Sequence, residues 1–285
     1  MVCGVTGSNG YLGSVIVQYF RRHGLTVYEF CRRSSSSDSP FQVKYSLHEL
    51  PQVESLKKLD VLIHCAYDFR VRSWEEIWKV NVEGTRQLFS AAKAAGVKKI
   101  VLVSTISAFE GCKSYYGKAK LEAEKIARDF GAIIIKPGLV YGSQRGGMVG
   151  SLAKTISSFP IIPLIGNGKQ ILYLAHDEDI ADAILKAAGS NRSIEKPIVA
   201  ASEKPVQFKI IMTTLAAQLN KRIILLPIPW QILFFSLKGL EIMGFKSKMR
   251  SDSLISLMNQ NPHLDFSTTQ ELGIRFREFL QLGKS

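Results

Sequence analysis

The sequence predicts an α/β protein whose parallel strands form a doubly wound sheet covered by helices on both faces. In the first half of the chain, short β-branched runs alternate with longer segments of helical periodicity, a pattern typical of βαβ units. Two of these runs, residues 100–104 and 132–136, are almost continuously apolar, as expected of strands that are covered on both faces. A glycine-rich turn between the first run and an apolar helical pattern is the third indication.

Local patterns place the individual elements in order. The predicted strands are residues 2–5, 26–31, 61–65, 100–104 and 132–136. A helix is predicted after the glycine turn from the spacing of Leu12, Val15, Ile16, Tyr19 and Phe20, and two more at residues 75–95 and 116–130. After Gly142 the alternation becomes less regular.

The longest apolar stretch, residues 223–245, predicts a strand at 223–226 and a helix at 230–243. Pro227 and Pro229 interrupt the stretch, and the helix carries Lys238 and Glu241, so we do not expect a membrane span. The apolar face of the helix is expected to pack within its own part of the protein. Contact of that face with a membrane surface or with a partner is the alternative.

The segment Thr6-Gly7-Ser8-Asn9-Gly10-Tyr11-Leu12-Gly13 predicts a dinucleotide site, because it lies between a strand and a helix. Gly7 allows a tight turn, Gly10 lets the backbone approach a pyrophosphate, and Gly13 lets the helix pack close to the strand. The N–H groups at the start of the helix then face the phosphates. A glycine-rich turn without a ligand is the alternative interpretation.

Tyr116 and Lys120 lie one helical turn apart in the predicted helix, so their side chains share a face. Tyr115 is matched with Ala119 instead. A free phenol has a pKa of about 10 and is a poor base at neutral pH, whereas a neighbouring cation favours the phenolate and lowers that pKa. The spacing therefore predicts acid–base chemistry at Tyr116.

Together these motifs resemble those of the extended short-chain dehydrogenases/reductases, which include nucleotide-sugar epimerases and dehydratases. Residues 80–85, 103–109 and 136–142 are similar to the family's central asparagine motif, to the strand end with its catalytic hydroxyl, and to the segment beside the nicotinamide. Thr105 precedes Phe109 by four residues, as the family's hydroxyl precedes its own aromatic residue. The resemblance implies a Rossmann fold with Thr105, Tyr116 and Lys120 as catalytic residues, and with Ser104 and Ser107 as alternatives for the hydroxyl.

The resemblance also implies a cofactor site and a division into two lobes. The implied cofactor residues are Gly7, Asn9, Gly10, Tyr11, Leu12, Gly13, Arg32, Arg33, Ser34, Leu47, Cys65, Ala66, Tyr67, Asn81, Val103, Tyr116, Lys120, Pro137 and Val140. Residues 1–142 and about 176–202 are expected to form the NAD(P)-binding domain. Residues from about 143–175 and 203–285 are expected to form a smaller substrate lobe.

The end of the second strand bears on the choice of cofactor. NAD-binding Rossmann folds usually place an acidic residue there to hold the ribose, whereas a basic residue accommodates the 2′-phosphate of NADP. Cys31 stands at the position of the family's aspartate, and Arg32 and Arg33 follow it. The sequence therefore favours NADP(H) over NAD(H). A solvated basic loop, or an alignment that brings Glu29 to the ribose, is the alternative.

The substrate region departs from the pattern of nucleotide-sugar enzymes. These enzymes often carry an arginine in a segment Gly-x-Gly-x-Gln-x-Arg, where it binds the diphosphate, but here Leu172 stands in the arginine's place. Arg145 or Lys169 could supply a cation instead, and Asp68 and Ser107 are further candidate substrate residues. We expect hydride transfer at a carbinol or carbonyl carbon of a sugar-derived or other carbonyl substrate.

Composition narrows the remaining classes of protein. The chain has 285 residues, 46% of them hydrophobic, and can bury a full core. The net charge of +13 is not gathered in a basic tail and suits phosphate-bearing ligands rather than nucleic acid. The scattered Cys3, Cys31, Cys65 and Cys112 predict neither disulfides nor a metal site. No targeting pattern precedes the first strand, so the expected location is the cytoplasm.

Two functions remain open at this point. The first is an NAD(P)-dependent epimerase, dehydratase or reductase with a small-molecule substrate, for which a homodimer is one assembly. The second is a non-catalytic NAD(P)H-binding or assembly subunit resembling the accessory subunit of respiratory complex I, suggested by the missing arginine and the apolar helix. The intact set of Thr105, Tyr116 and Lys120 favours the enzyme.

Overall fold

The computed structural model describes residues 1–32, 40–142, 146–243 and 250–279, and these form thirteen strands and eleven α-helices. The strands are β1 (Val2–Thr6), β2 (Thr26–Cys31), β3 (Gln42–Lys44), β4 (Val61–His64), β5 (Lys99–Val103), β6 (Ile133–Pro137), β7 (Leu139–Tyr141), β8 (Ile161–Ile165), β9 (Ile171–Leu172), β10 (Leu174–His176), β11 (Ile198–Ala200), β12 (Val206–Gln207) and β13 (Ile224–Ile228). The helices are α1 (Tyr11–Arg22), α2 (Val53–Leu56), α3 (Trp74–Ile77), α4 (Gly84–Ala94), α5 (Tyr115–Asp129), α6 (Gly147–Ser158), α7 (Asp177–Gly189), α8 (Phe208–Gln218), α9 (Trp230–Ile242), α10 (Ser251–Met258) and α11 (Ser267–Glu271).

Seven of the described strands form one parallel sheet in the order β3-β2-β1-β4-β5-β6-β11. The chain begins in the middle of this sheet and winds outwards first to one edge and then to the other. The order therefore reverses between β1 and β4, and a crevice opens there at the carboxyl ends of the strands. The predicted doubly wound parallel sheet is confirmed.

Helices cover both faces of the sheet with apolar side chains. On one face α1 and α7 bury Ile16, Phe20 and Ile184 against the strands. On the other face α4 and α5 bury Leu88 and Ile126. Because both faces are covered, the central strands consist almost entirely of buried residues, which explains their continuous apolar runs.

The helix predicted at residues 75–95 is interrupted. It begins as α3, with a capping box between Ser73 and Glu76, passes through a π-helical segment at Trp78–Glu83, and continues as α4. Asn81 lies buried within the π-helical segment. Such insertions are rare and often occur at functional sites, where they reorient one side chain.

A third apolar core lies outside the sheet, in the region predicted to form the smaller lobe. It joins α6, α8 and α10 to the ribbon of β8 and β13, with Ile156, Ile162, Phe208 and Met212 fully or almost fully buried. The C-terminal segment is divided between the cores, because Ile274 packs against the sheet core whereas Phe279 belongs to the third core. The exact division into two domains remains a prediction.

The apolar stretch at residues 223–245 folds as a strand, β13, and a helix, α9, at nearly the predicted positions. One face of α9 packs on the third core through partly buried side chains, including Trp230, Leu233 and Phe234. Among the described residues, no helix is long and apolar enough to cross a lipid bilayer.

Candidate active site

A cavity of about 710 Å³ lies at the point where the strand order reverses. Its walls come from the β1–α1 turn, the ends of β4, β5 and β6, the first turns of α5, and α10. Of the predicted cofactor residues within the described chain, all but Asn81 line it. These are Gly7, Asn9, Gly10, Tyr11, Leu12, Gly13, Arg32, Leu47, Cys65, Ala66, Tyr67, Val103, Tyr116, Lys120, Pro137 and Val140.

The glycine turn has the geometry that a close approach requires. Gly7 has a φ of +69°, which favours glycine, and a Cβ at Gly13 would collide with the Gly7 carbonyl. Gly10 is the N-cap of α1, and no side chain caps the N–H groups of the first turn. The helix start therefore presents backbone donors beside the cavity, as an anionic phosphate group needs.

The end of β2 carries no carboxylate towards this site. Cys31 and Arg32 line the cavity, whereas the Glu29 carboxylate lies 2.7 Å from Nη2 of Arg21 in an ion pair away from it. The alternative in which Glu29 holds the ribose is therefore not supported by the geometry. Arg33 and Ser34, also predicted to contact the cofactor, lie outside the described residues.

Asp68 is buried at one wall of the cavity and is contacted by two arginines and a histidine. Its carboxylate accepts hydrogen bonds from Arg70 at 2.5 Å and His48 at 2.9 Å, with Arg32 at 3.4 Å. The Arg70 guanidinium, more than any other group, holds the pKa of this carboxyl well below its usual range. Asp68 thus binds two guanidinium groups and an imidazole, and it is less available to a substrate than the sequence suggested.

Asn81, in the π-helical segment, hydrogen-bonds the backbone of Asp68. Its Oδ1 accepts a hydrogen bond from the backbone N–H of Asp68 at 2.6 Å, and its Nδ2 donates to the Asp68 carbonyl at 3.4 Å. Asn81 does not line the cavity. The π-helical segment therefore positions the chain after β4, and the predicted direct contact of Asn81 with the cofactor is not what the structure indicates.

Tyr116, Thr105 and Lys120 meet at the wall formed by β5 and α5. The Thr105 hydroxyl acts to lower the pKa of the Tyr116 phenol. Burial is the larger influence and raises the pKa of Tyr116 to about 12. The structure thus brings the three predicted catalytic residues together, but with a protonated phenol.

Lys120 does not depress the pKa of Tyr116 in the way the sequence predicted. Its ammonium donates to the carbonyl of Val103 at 2.7 Å and lies 5.5 Å from the centre of the Tyr67 ring. Burial lowers the pKa of Lys120 itself to about 8. The i, i+4 spacing correctly placed both residues on one face of α5, but the long lysine stem reaches past the phenol to the end of β5.

Of the two alternative hydroxyls, that of Ser104 is engaged elsewhere. Ser104 Oγ donates to the fully buried carboxylate of Glu124 at 2.5 Å, and Lys136 completes this network at 2.9 Å from Glu124. Ser107 lines the cavity, and its backbone N–H donates to Thr105 Oγ1 at 3.2 Å. The geometry therefore favours Thr105 over Ser104 as the hydroxyl that faces a substrate oxygen, with Ser107 as the alternative.

Helix α10 adds residues that no sequence motif revealed. Asp252 accepts hydrogen bonds from the backbone N–H groups of Tyr115 at 2.7 Å and Tyr116 at 3.1 Å. Arg250, just before α10, donates to the carbonyl of Phe69 at 3.1 Å, and the Phe69 ring stacks on Tyr116. Arg250 and Asp252 both line the cavity. They lie more than a hundred residues from Tyr116, without a distinctive spacing that could have identified them.

The side of the cavity expected to hold the substrate is largely apolar. Leu172, in the place of the family's arginine, is buried and lines it together with Leu139, Met148 and Leu257. Lys169 is exposed and does not line the cavity, and Arg145 lies outside the described residues. The cation that this wall presents among the described residues is therefore Arg250 and not the predicted Lys169.

Comparison with known proteins identifies the family. The model of the NAD dependent epimerase/dehydratase family matches residues 3–201, more than half of the chain. The chain belongs to this family. The family's match covers the glycine turn and the Thr105, Tyr116 and Lys120 constellation, and ends just after β11.

Two curated relatives illustrate the range of the family. The chain is 29% identical over 190 residues to the ceramide reductase of Caulobacter vibrioides, covering 63% of this chain and 58% of the relative. It is 25% identical over 250 residues to the decarboxylating sterol-4-alpha-carboxylate 3-dehydrogenase of Homo sapiens, covering 76% of this chain and 66% of the relative. The chain thus spans about three fifths of the length of these relatives.

Among solved structures, the UDP-glucose 4-epimerase of Thermotoga maritima with UDP-glucose has a TM-score of 0.73 at 19% identity. The match covers 99% of this chain and 96% of that chain. At this identity the likeness shows the shared fold, including the part that lies beyond the matched family region.

Proposed function

We propose that the protein is an NADP(H)-dependent oxidoreductase that interconverts a hydroxyl and a keto group on a largely apolar substrate. The observation that carries the proposal is the convergence of Thr105 and Tyr116 on one wall of the cavity, between the glycine turn and an apolar wall. A non-catalytic assembly role gives no chemical reason for this arrangement.

The residues of the chain supply proton transfer and orientation. The cofactor, when bound, supplies or accepts the hydride. Thr105 and Tyr116 can both hydrogen-bond one substrate oxygen, and a phenol with a pKa of about 12 is in the form that donates a proton to the developing alkoxide. The Lys120 ammonium, which donates to the Val103 carbonyl at 2.7 Å, lines the same cavity and can contact the cofactor there. The geometry is thus best suited to carbonyl reduction.

The preference for NADP(H) follows from charge at the end of β2. Cys31 cannot chelate the ribose hydroxyls as a carboxylate does, and the half-exposed Arg32 lines the cavity beside it. The Arg32 contact with Asp68 is 3.4 Å long, so it leaves the guanidinium able to bind a phosphate. We expect the 2′-phosphate to lie against Arg32.

The apolar character of the substrate is argued from the cavity wall. Bringing two phosphate charges against Leu172, Leu139 and Met148 removes much of their hydration, which is unfavourable. Arg250 is the cation that the described wall offers in return, and it already donates to the Phe69 carbonyl. An aliphatic or alicyclic substrate meets no such penalty. The two curated relatives are named for reactions on a ceramide and on a sterol, which agrees with this choice. A sugar-derived substrate such as a nucleotide sugar is the alternative, and the family match and the shared fold favour it.

Two measurements test the proposal. Titrations with NADPH and NADH should show tighter NADPH binding, and Arg32→Asp should reverse the preference, whereas Arg22→Asp, an exposed arginine paired with Glu178 away from the cavity, should not. Equal affinities in the unaltered protein would remove the basis for NADP(H).

The second measurement is turnover with long-chain ketones, a sterol-like ketone and UDP-glucose, together with calorimetry of UDP. We expect reduction of an apolar ketone and weak UDP binding. Tight UDP binding together with turnover of the nucleotide sugar would overturn the substrate assignment but leave the assignment of Tyr116 in place.

A further inference from the structure

Helix α9 carries eight large apolar side chains among its thirteen residues, yet none of the thirteen is fully buried. Its inner face packs on the third core. Its outer face presents Ile232, Phe235, Gly239 and Ile242, which recur at the spacing of one helical stripe. The exposed fractions are 58% for Ile232, 71% for Phe235 and 78% for Ile242. A helix of this kind normally lies in contact with apolar material on both sides.

The ribbon that precedes α9 has the same property. β8 and β13 are paired in parallel, with Ile224 beside Ile161 and Leu226 beside Pro163. The alternate residues Ile162 and Leu164 are buried, so the outward positions of β8 are Ile161 and Pro163. A ribbon with one solvated face usually carries polar residues there. Together with α9 it forms what we call the apolar face: Ile161, Pro163, Ile224, Leu226, Ile232, Phe235 and Ile242.

The two segments that carry this face contain many more cationic than anionic side chains. Residues 146–174 and 206–243 contain six lysines and arginines, all exposed, and one carboxylate. That carboxylate, Glu241, is half-buried and accepts hydrogen bonds from the backbone and hydroxyl of Ser251, both at 2.8 Å. The six cations are Lys154, Lys169, Lys209, Lys221, Arg222 and Lys238. The described segments that carry the apolar face thus present six exposed cations and no free carboxylate.

We propose that the apolar face is a docking surface for an anionic lipid bilayer, with the α9 stripe and the ribbon entering the interface and the cations contacting lipid phosphates. Apolar side chains flanked by lysine and arginine are what an interfacial lipid site requires. A second copy of the chain fits less well, because two molecules of net charge +13 repel each other.

The apolar face lies close to the cavity, as we expect if the bilayer also supplies the substrate. α9 packs against α10, and α10 supplies Ser253, Ser256 and Leu257 to the cavity wall. One layer of helix therefore separates the bilayer surface from the cavity. The inference is compatible with the proposed apolar substrate and extends it, because a substrate dissolved in the bilayer would be presented beside the site.

Vesicle flotation tests the docking surface without reference to activity. Vesicles of phosphatidylcholine with about a quarter phosphatidylglycerol should bind the protein at least about 10-fold more tightly than phosphatidylcholine alone. The double substitution Phe235→Glu with Ile242→Glu should weaken binding at least about 10-fold, because it places carboxylates in the apolar stripe. Leu50→Glu is the matched control, since Leu50 is 77% exposed but lies outside the face.

Unaltered circular dichroism and NADPH binding establish that the double variant is folded. No flotation of the unaltered protein, or equal flotation of the double variant, would overturn the proposal. A dimer in sedimentation velocity that the double variant dissociates would also overturn it, in favour of a second copy on this face. Because vesicle binding does not involve turnover, it can succeed when the proposed reaction fails, and the reverse.

Discussion

Replacing Lys120 with methionine is expected to stabilise the protein while abolishing turnover. Lys120 is 5% exposed, and burial lowers its pKa from the usual 10.5 to about 8. At neutral pH the ammonium is therefore kept charged in an environment that disfavours the charge. The difference between the two pKa values corresponds to about 3 kcal/mol at about 1.4 kcal/mol per unit.

Part of that gain is offset. Methionine keeps the aliphatic stem but leaves the Val103 carbonyl, now 2.7 Å from the ammonium, without its donor. An unsatisfied buried carbonyl costs about 1–2 kcal/mol. We therefore expect Lys120→Met to raise the free energy of unfolding by about 1–2 kcal/mol at neutral pH, measured by urea denaturation without added nucleotide.

The pH dependence provides the decisive comparison. Between about pH 8 and 10.5 the unfolded state binds more protons at this site than the folded state, so the stability of the unaltered protein rises with pH across that window. The methionine variant lacks this contribution, and its advantage should disappear near pH 10. Lys118→Met, an exposed position on the same helix, is the control. A variant less stable than the unaltered protein at neutral pH, or an advantage independent of pH, would refute the reasoning.

Three further predictions concern the buried groups around the cavity. Glu124→Ala should lower the free energy of unfolding by about 3–5 kcal/mol in the same denaturation assay, because it leaves the Lys136 ammonium unpaired. Glu122→Ala, on the exposed face of α5, is the control and should have little effect. Burial holds the pKa of His64 at about 3, so the free energy of unfolding should fall by about 2–3 kcal/mol as the pH falls from 6.5 to about 4.5. A His64→Asn variant should lack this loss, and an unchanged loss in that variant would exclude His64 as the group responsible. Tyr116→Phe should lower kcat at least about 10²-fold with NADPH binding retained, and normal turnover would exclude Tyr116 as the proton donor.

The sheet was predictable because its strands are local and continuous. The five predicted strands agree with β1, β2, β4, β5 and β6 to within one residue at each end. Their β-branched runs are long enough for hydrophobic periodicity to be decisive. By contrast, β9 and β12 have two residues each and exist because they pair with each other across the lobe. No pattern of two residues can predict such a pairing.

The site was predictable where one segment supplies the geometry. The glycine turn and the Thr105 and Tyr116 positions depend on neighbours within a few residues. The hydrogen-bond partner of Lys120 depends on where its flexible side chain ends, which the sequence does not show. The pKa of Tyr116 is decided by burial rather than by spacing along the helix. Spacing on a helix fixes a shared face, but it does not fix the partner of a long side chain.

Three consecutive residues, 250–252, connect α9 with α5, the helix that carries Tyr116. Ser251 holds Glu241 of α9, Arg250 holds the Phe69 carbonyl, and Asp252 accepts the first two N–H groups of α5. A helix start leaves four N–H groups without intrahelical partners, and Ser114 accepts only one of them, that of Gly117. The carboxylate at 252 therefore satisfies donors that α5 cannot satisfy itself. The N-terminus of the helix that carries Tyr116 is completed when α10 lies against it, which makes α10 a structural part of the cavity wall that we propose to be catalytic.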